Sequence, residues 1–287
     1  STAATLNLAA TAAQCARIWD GIDPAFSTRC LNAAETAWAA ALANPEVYAG
    51  NTPGSGGGNY PDNNVTDEFY WAASELFITT GKAEYRDYLL NSGAFATVDT
   101  FDWGSTATLG SLSLATTENS LPEDQAARIK ESIIAAADKL IVQQESVGYL
   151  VPVFGGRYPW GSNSMILNNA IILGQAHALT GDAKYLNGVR WCMDYILGRN
   201  PMNKSYVSGY GENPLQHPHH RFWANDPANG YPPPPPGVVS GGPNGEPADP
   251  VAEEAGLLDN PPAKRYIDNI GSFTTNEVAI NWNAPLA

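Results

Sequence analysis

Thr80-Gly81-Lys82-Ala83-Glu84-Tyr85 and, a hundred residues later, Thr180-Gly181-Asp182-Ala183-Lys184-Tyr185 are two copies of one phrase, and their reading decides the fold. Each copy follows a run with apolar residues at i, i+3, i+4 and i+7 and opens another such run. Gly81 and Gly181 can take the left-handed conformation that closes a helix, after which the next helix packs back antiparallel. Stacked αα-hairpins follow. A bundle, a solenoid and a closed toroid of hairpins all satisfy the pattern, and periodicity alone does not choose among them.

Outward from the repeat, residues 1–199 read as helices in pairs with short Gly or Pro breaks. Asn200 to Pro262 is rich in Pro, Gly and Asn and includes the run Pro232 to Pro236. Proline removes backbone donors, so this stretch is expected to be long ordered loop, the kind of segment that carries function. The division is therefore 1–199 helical hairpins, 200–265 loop region and 266–287 a closing motif with the last helix. With 287 residues, 44% of them apolar, the chain is expected to form one domain.

Fifteen Lys and Arg against 29 Asp and Glu give a net charge of −14, which excludes a polyanionic partner, because phosphate backbones are bound by clustered cations. No nucleic acid is expected. Only 15% of residues are charged while Asn, Gly, Pro and aromatics are plentiful, a mix suited to a neutral polar ligand held by stacking and hydrogen bonds. Carbohydrate fits that description. No stretch approaches the roughly 18 apolar residues that span a bilayer, so no membrane partner is expected. The start, STAATLNLAATAAQCARIW, lacks a basic n-region and reads as an amphipathic helix, any secretion signal having been removed. Cys15, Cys30 and Cys192 are too few and too scattered for a disulfide framework or structural zinc, and are expected to be buried and inert. Nothing implies an organic cofactor.

Two segments carry chemistry. Ser205-Tyr-Val-Ser-Gly-Tyr-Gly-Glu-Asn-Pro-Leu-Gln-His217-Pro-His219-His220-Arg221 gathers three imidazoles and a guanidinium in a Gly/Pro-fixed loop. Adjacent imidazoles in a loop point apart and no carboxylate stands at ligand spacing, so ligand hydrogen bonding is favoured over a metal site. Tyr266-Ile-Asp268-Asn-Ile-Gly-Ser-Phe273-Thr-Thr-Asn276-Glu277-Val-Ala-Ile-Asn-Trp282-Asn-Ala sets one carboxylate, Glu277, in an apolar and amide-rich run. Thr274 or Thr275 followed by Glu resembles a capping box, which would make Glu277 an ordinary acid at a helix N-terminus. Alternatively, apolar neighbours keep it protonated near neutral pH as a general acid.

Both segments resemble, position by position, the two signature motifs of family 9 glycoside hydrolases. Asp67-Glu68-Phe-Tyr-Trp-Ala-Ala and Tyr158-Pro-Trp160-Gly-Ser-Asn163 are similar too, so the resemblance covers essentially the whole chain. It implies an all-α (α/α)6 toroid, of which this chain supplies the C-terminal half, and hydrolysis of β-1,4-glucosidic bonds in cellulose or a related β-glucan or oligosaccharide, with inversion. On that resemblance Glu277 is the general acid, Asp268 a supporting acid, and His219 and Arg221 hold sugar hydroxyls at the cleavage point. Trp160 resembles a stacking platform, Trp282 stands where many members have a sugar-contacting Tyr, and Tyr206 is placed in the substrate-binding set. Asp67 and Glu68, with Asp102, fall where members hold a structural calcium ion, although an acidic helix start favoured by the macrodipole reads almost as well. Secretion is implied as well, since polymeric cellulose does not enter cells.

An inverting glycosidase needs a second carboxylate roughly 6.5 to 9.5 Å from the acid to activate water. The family's Asp-Ala-Gly-Asp motif that supplies it is absent from these residues. Asp20-Gly-Ile-Asp23 has the spacing but resembles an inter-helix turn. An N-terminal fragment of the same enzyme is therefore expected to complete the barrel and provide the base. It would also cover apolar faces worth roughly 25 cal/mol per Å². Two further readings stay open: an exo-β-glucosaminidase acting on chito-oligosaccharides, and a catalytically incomplete glycan-binding remnant.

Overall fold

A computed structural model of the chain describes residues 1–50 and 58–287. They fall into two compact units, residues 1–134 and 135–287.

In the first unit, α1 (Thr2–Trp19) and α2 (Pro24–Ala43) form a hairpin. Asp20 to Asp23 is its turn. The Asp23 carboxylate accepts the Phe26 N–H at 2.9 Å and Pro24 opens the helix, so this Asp-x-x-Asp spacing serves capping, as expected. The buried surfaces of both helices are rich in alanine: Ala9, Ala13 and Ala16 on one, Ala34, Ala37 and Ala41 on the other. A second hairpin joins α3 (Thr66–Thr80) to α4 (Ala83–Asn91), and α3 also packs on α1 and on α5 (Ala107–Thr116). Trp38 meets Phe69, Tyr85 and Tyr88 edge-on, with centroids 4.9–5.7 Å apart. The buried Glu75 is paired rather than isolated: Arg17 reaches it at 2.5 Å, the Trp71 indole at 3.1 Å and Ser113 at 2.6 Å. Cys30 is buried and Cys15 half-buried. The two meet, with their sulfurs 3.0 Å apart, and so are not the scattered pair expected.

α6 (Glu123–Glu145) runs from the first unit into the second, where α7 (Ser162–Thr180) and α8 (Ala183–Ile196) form the third hairpin. The repeat behaves as read. Gly81 and Gly181 have φ of 67° and 71°, and their N–H groups close the preceding helices on Phe77 and His177 at 2.8 and 2.7 Å. Tyr85 and Tyr185 are buried in the helices that follow.

Beyond α8 the chain is mostly irregular, as the proline content demands, but with short regular pieces that the composition hid. β1 (Ser205–Ser208) pairs with β2 (Pro214–Leu215) in parallel, and α9 (Pro250–Glu254) starts on a proline. In place of a last helix there are two single turns, α10 (Phe273–Asn276) and α11 (Ile280–Asn283).

Within the second unit, a Cβ on Gly188 of α8 would lie 2.8 Å from both Gln144 Oε1 and Ile141 Cδ1, and 3.1 Å from Leu173 Cδ1. The Gln144 amide donates to the Gly188 carbonyl at 2.9 Å across the same contact. Gly188→Ala is therefore expected to cost about 1–3 kcal/mol by overpacking, despite the better helix propensity of alanine. Chemical denaturation of the two proteins measures this.

Candidate active site

Glu277 sits one residue beyond the C-terminal end of α10, in extended conformation. It is not in the first turn of a helix, so the capping-box reading falls. Its neighbours come from three loops of the second unit. The Trp160 indole N–H donates to Glu277 Oε2 at 3.1 Å. The backbones of His219 and Glu277 form an isolated parallel bridge, through the His219 N–H on the Asn276 carbonyl at 2.9 Å. Gly241 donates to the Glu277 carbonyl at 2.8 Å, closing the other side. Burial pushes the Glu277 carboxyl above the usual carboxylate range, while His219, the Trp160 N–H and the Arg221 charge pull the other way. Burial wins. This is a carboxyl held towards its protonated form with three positive or donating groups beside it.

His219 Nδ1 lies 2.6 Å from the Ile270 carbonyl, which fixes that nitrogen as the N–H and leaves Nε2 for a ligand. Its ring leans on Phe273, which also touches Trp160. Trp160 is 48% exposed, so the indole whose edge binds Glu277 still offers surface. Trp282 is half-buried, and its ring lies where a Cβ on Gly161 or Gly241 would come within 2.7 or 2.9 Å. Only glycine at those positions leaves room for the indole so close to the backbone.

Some expectations change. Asp268, read as a supporting acid, is occupied as an anchor. One oxygen accepts Lys204 Nζ at 2.7 Å and the Gln216 N–H at 2.8 Å, the other the His217 N–H at 2.8 Å and the Asn276 amide at 3.3 Å. It holds the imidazole loop against the closing motif, and no oxygen is left for proton transfer. Tyr206, read as substrate-binding, is fully buried, with its ring edge-on to Tyr266 at 4.9 Å, and so belongs to the core beneath the loops. His217 Nδ1 contacts the Asn225 carbonyl at 3.2 Å, while His220 stacks on Trp223 at 3.5 Å with its Nδ1 turned to backbone N–H groups. Among the described residues no set of three His, Cys, Asp or Glu side chains stands ready for a metal.

Two residues that motif reading passed over organise the site. Asn276 is wholly buried. Its Oδ1 accepts the Tyr266 hydroxyl at 2.7 Å, and its amide donates to the His217 carbonyl at 2.7 Å besides Asp268. Asp249 caps α9 through the Ala252 N–H at 2.8 Å. It also takes Ser272 Oγ and the Thr274 N–H at 3.0 Å each, together with the Thr274 hydroxyl.

In the first unit a separate acidic cleft of about 550 Å³ is lined by Asp62, Asp67, Asp99 and the turn 104–108, among others. At its side, Glu68 is buried with both carboxylate oxygens unpartnered among the described donors, as is Asp62 Oδ2. Burial first, then the neighbouring Asp67 and Asp62, push the Glu68 carboxyl up to about 9. Asp67 is half engaged, accepting the Thr106 N–H at 2.7 Å. Asp102, expected in this set, is exposed and accepts the Gly104 N–H of its own turn at 2.9 Å. Asp62, not Asp102, is the further carboxylate beside Glu68.

Residues 1–287 match the model of Glycosyl hydrolase family 9. The chain is 48% identical, over its whole length, to a cellulose 1,4-beta-cellobiosidase of Acetivibrio thermocellus, of which it covers 35%. It is 41% identical to endoglucanase C of Cellulomonas fimi, covering all of this chain and 27% of that one. A thermostable endoglucanase from Alicyclobacillus acidocaldarius superposes on 99% of the chain with a TM-score of 0.87 at 32% identity, while the chain accounts for 54% of that structure. The likeness bears out the fold class: this is part of a family 9 (α/α)6 barrel. The chain thus spans about a third of these curated relatives and about half of the solved one.

Burial alone would push the Asp249 carboxyl up, but the hydrogen bonds from Thr274, Ala252 and Ser272 outweigh it and hold it below the usual carboxylate range. A lowered folded-state value stabilises the fold above the unfolded value, near 3.9, and that stability is lost as pH falls through the folded one. Asp249→Asn is expected to cost roughly 2–4 kcal/mol at pH 7 and to flatten the acid limb of stability below pH ~4. Thermal unfolding from pH 2 to 7 compares the two proteins.

Proposed function

Because the chain belongs to glycosyl hydrolase family 9, we propose that it carries the leaving-group half of an inverting β-1,4-glucanase site, with Glu277 as general acid. The observation that supports this most is the elevated, Trp160-bound carboxyl beside His219 and Arg221. Relatives named for cellobiosidase and endoglucanase activity point the same way.

On this reading a glucan chain runs across Trp160 and Trp282, whose flat faces suit the C–H faces of sugar rings. His219 Nε2 and Arg221 hold hydroxyls next to the scissile bond, Glu277 delivers its proton to the departing oxygen, and Asp268 keeps the His219 loop in register. The water-activating base comes from an N-terminal part of the same enzyme. Leu8, Ile18 and Ile22 of the α1–α2 hairpin, between 52% and 69% exposed, favour such a covering partner. A secreted location accords with a polymeric substrate.

We infer that a calcium ion binds beside the first-unit cleft. Glu68 and Asp62 supply hard, unpartnered oxygens, and carbonyls and waters can complete the six to eight ligands that calcium takes. When bound, the ion would supply the positive charge that keeps the Glu68 carboxyl ionised.

Glu277→Gln is expected to lower kcat on soluble β-glucan by 10²–10⁴-fold in the complete enzyme, on the scale of general acid catalysis. An active Gln variant would refute the assignment. Trp160→Phe removes a donor that favours the Glu277 anion, so the acid should hold its proton to higher pH and the alkaline limb of kcat/KM should move upward. A pH–rate series reads the shift. For the cation, a folded-state carboxyl raised to about 9 keeps a proton that the unfolded chain has released. Stability in EDTA should therefore fall as pH rises from about 4.5 towards 9. Calcium should restore Tm, and Glu68→Gln should abolish both effects. Equal Tm values with EDTA and calcium would argue against the site.

A further inference from the structure

We propose that Cys15 and Cys30 form a disulfide that staples α1 to α2. The Sγ atoms are 3.0 Å apart, closer than two sulfurs in van der Waals contact, and need approach by only about 1 Å to reach the bonded distance. A second, independent contact shows that the helices are near enough there. The Ser27 hydroxyl, one turn from Cys30 on α2, reaches the carbonyl of Ala16, next to Cys15 on α1, at 2.7 Å, and this bond is buried. A serine side chain spans so short a reach only where two backbones approach closely, and the alanine faces of the hairpin allow that approach. Alanine methyls also bury little apolar surface, so this hairpin gains less from packing than its length suggests. A covalent link offsets that weakness. The inference does not depend on the hydrolase reading.

The oxidant is a small disulfide such as oxidised glutathione. The half-buried Cys15 is the accessible partner. Its thiolate attacks one glutathione sulfur, breaking that S–S bond and releasing one glutathione thiolate. The Cys30 thiolate then attacks Cys15 Sγ in the mixed disulfide and releases the second. The protein dithiol is oxidised by two electrons, the small disulfide is reduced by two, and the two thiol protons end on the two glutathiones. Cys192 has no such partner: it is buried, its nearest polar contact is the Gln144 amide at 3.4 Å, and it remains a thiol.

Arg17 and Arg29 lie between the two cysteines, so trypsin places Cys15 and Cys30 in different peptides. The complete enzyme, exposed to oxidised glutathione, alkylated without reductant and digested, should yield these two peptides joined and lighter by two hydrogens, with Cys192 alkylated. Reductant should separate them. It should also lower the Tm of the oxidised protein by roughly 3–5 °C, given the 15-residue loop that the bond closes, and should not change that of Cys15→Ser. Alkylation of both Cys15 and Cys30 after that treatment, or either one joined to another cysteine, would overturn the proposal. The peptide map decides it even where the serine variant fails to fold.

Discussion

One buried amide holds the site together. Asn276 offers an acceptor to Tyr266 and donors to the His217 carbonyl and Asp268, while its own carbonyl takes the His219 N–H. Tyr266, the imidazole loop and the closing motif are thereby tied within one residue of Glu277. Only a side chain that both donates and accepts can do this. Aspartate would set a second carboxylate against Asp268, and leucine would leave several buried polar groups without partners. Asp268 and Lys204 extend the same knot to the start of β1, and Asp249 fastens it from the side of α9. The elevated Glu277 carboxyl is the product of this scaffold, because a carboxyl stays elevated only if its neighbours cannot rearrange to solvate it.

The parts of the molecule legible in the sequence are those set by local rules. Gly81 and Gly181 announce helix ends because only a residue without a Cβ adopts positive φ freely, and the tyrosine that follows four residues later is buried in both copies. Glu277 was singled out through the motif around it, and the structure surrounds it with Trp160 and the His219 loop. Asn276 and Asp249 were not, although both are printed in or near that motif, because their partners lie 59 and 25 residues away along the chain. Tyr206 shows the reverse error. It belongs to a segment read as sugar-binding, but every residue of β1 is buried, so no alternation marks an outward face. For the cysteines, the missing signal was their placement on either side of the Asp20–Asp23 turn, which a count of spacings does not register.

In the acidic cleft the sequence foresaw the acidic neighbourhood of Asp67 and Glu68 but not the part that Asp62 takes in it. Asp62 precedes the helix that carries Asp67 and Glu68, and it is brought in by loop geometry rather than by helical spacing. Asp102 is drawn off by its own turn, a local hydrogen bond outcompeting a distant one.

Trp160 has a consequence of its own. A single ring carries both the exposed surface on which a sugar can rest and the N–H that steadies the Glu277 anion. If the ring tilts to follow a ligand, the hydrogen bond must stretch. Grip and proton affinity are thus geared to one rigid plate. In evolutionary terms the two traits share one mutational axis: if the ring serves as a sugar platform, a change that refits it to another glycan also alters the proton affinity of Glu277, and with it the working pH.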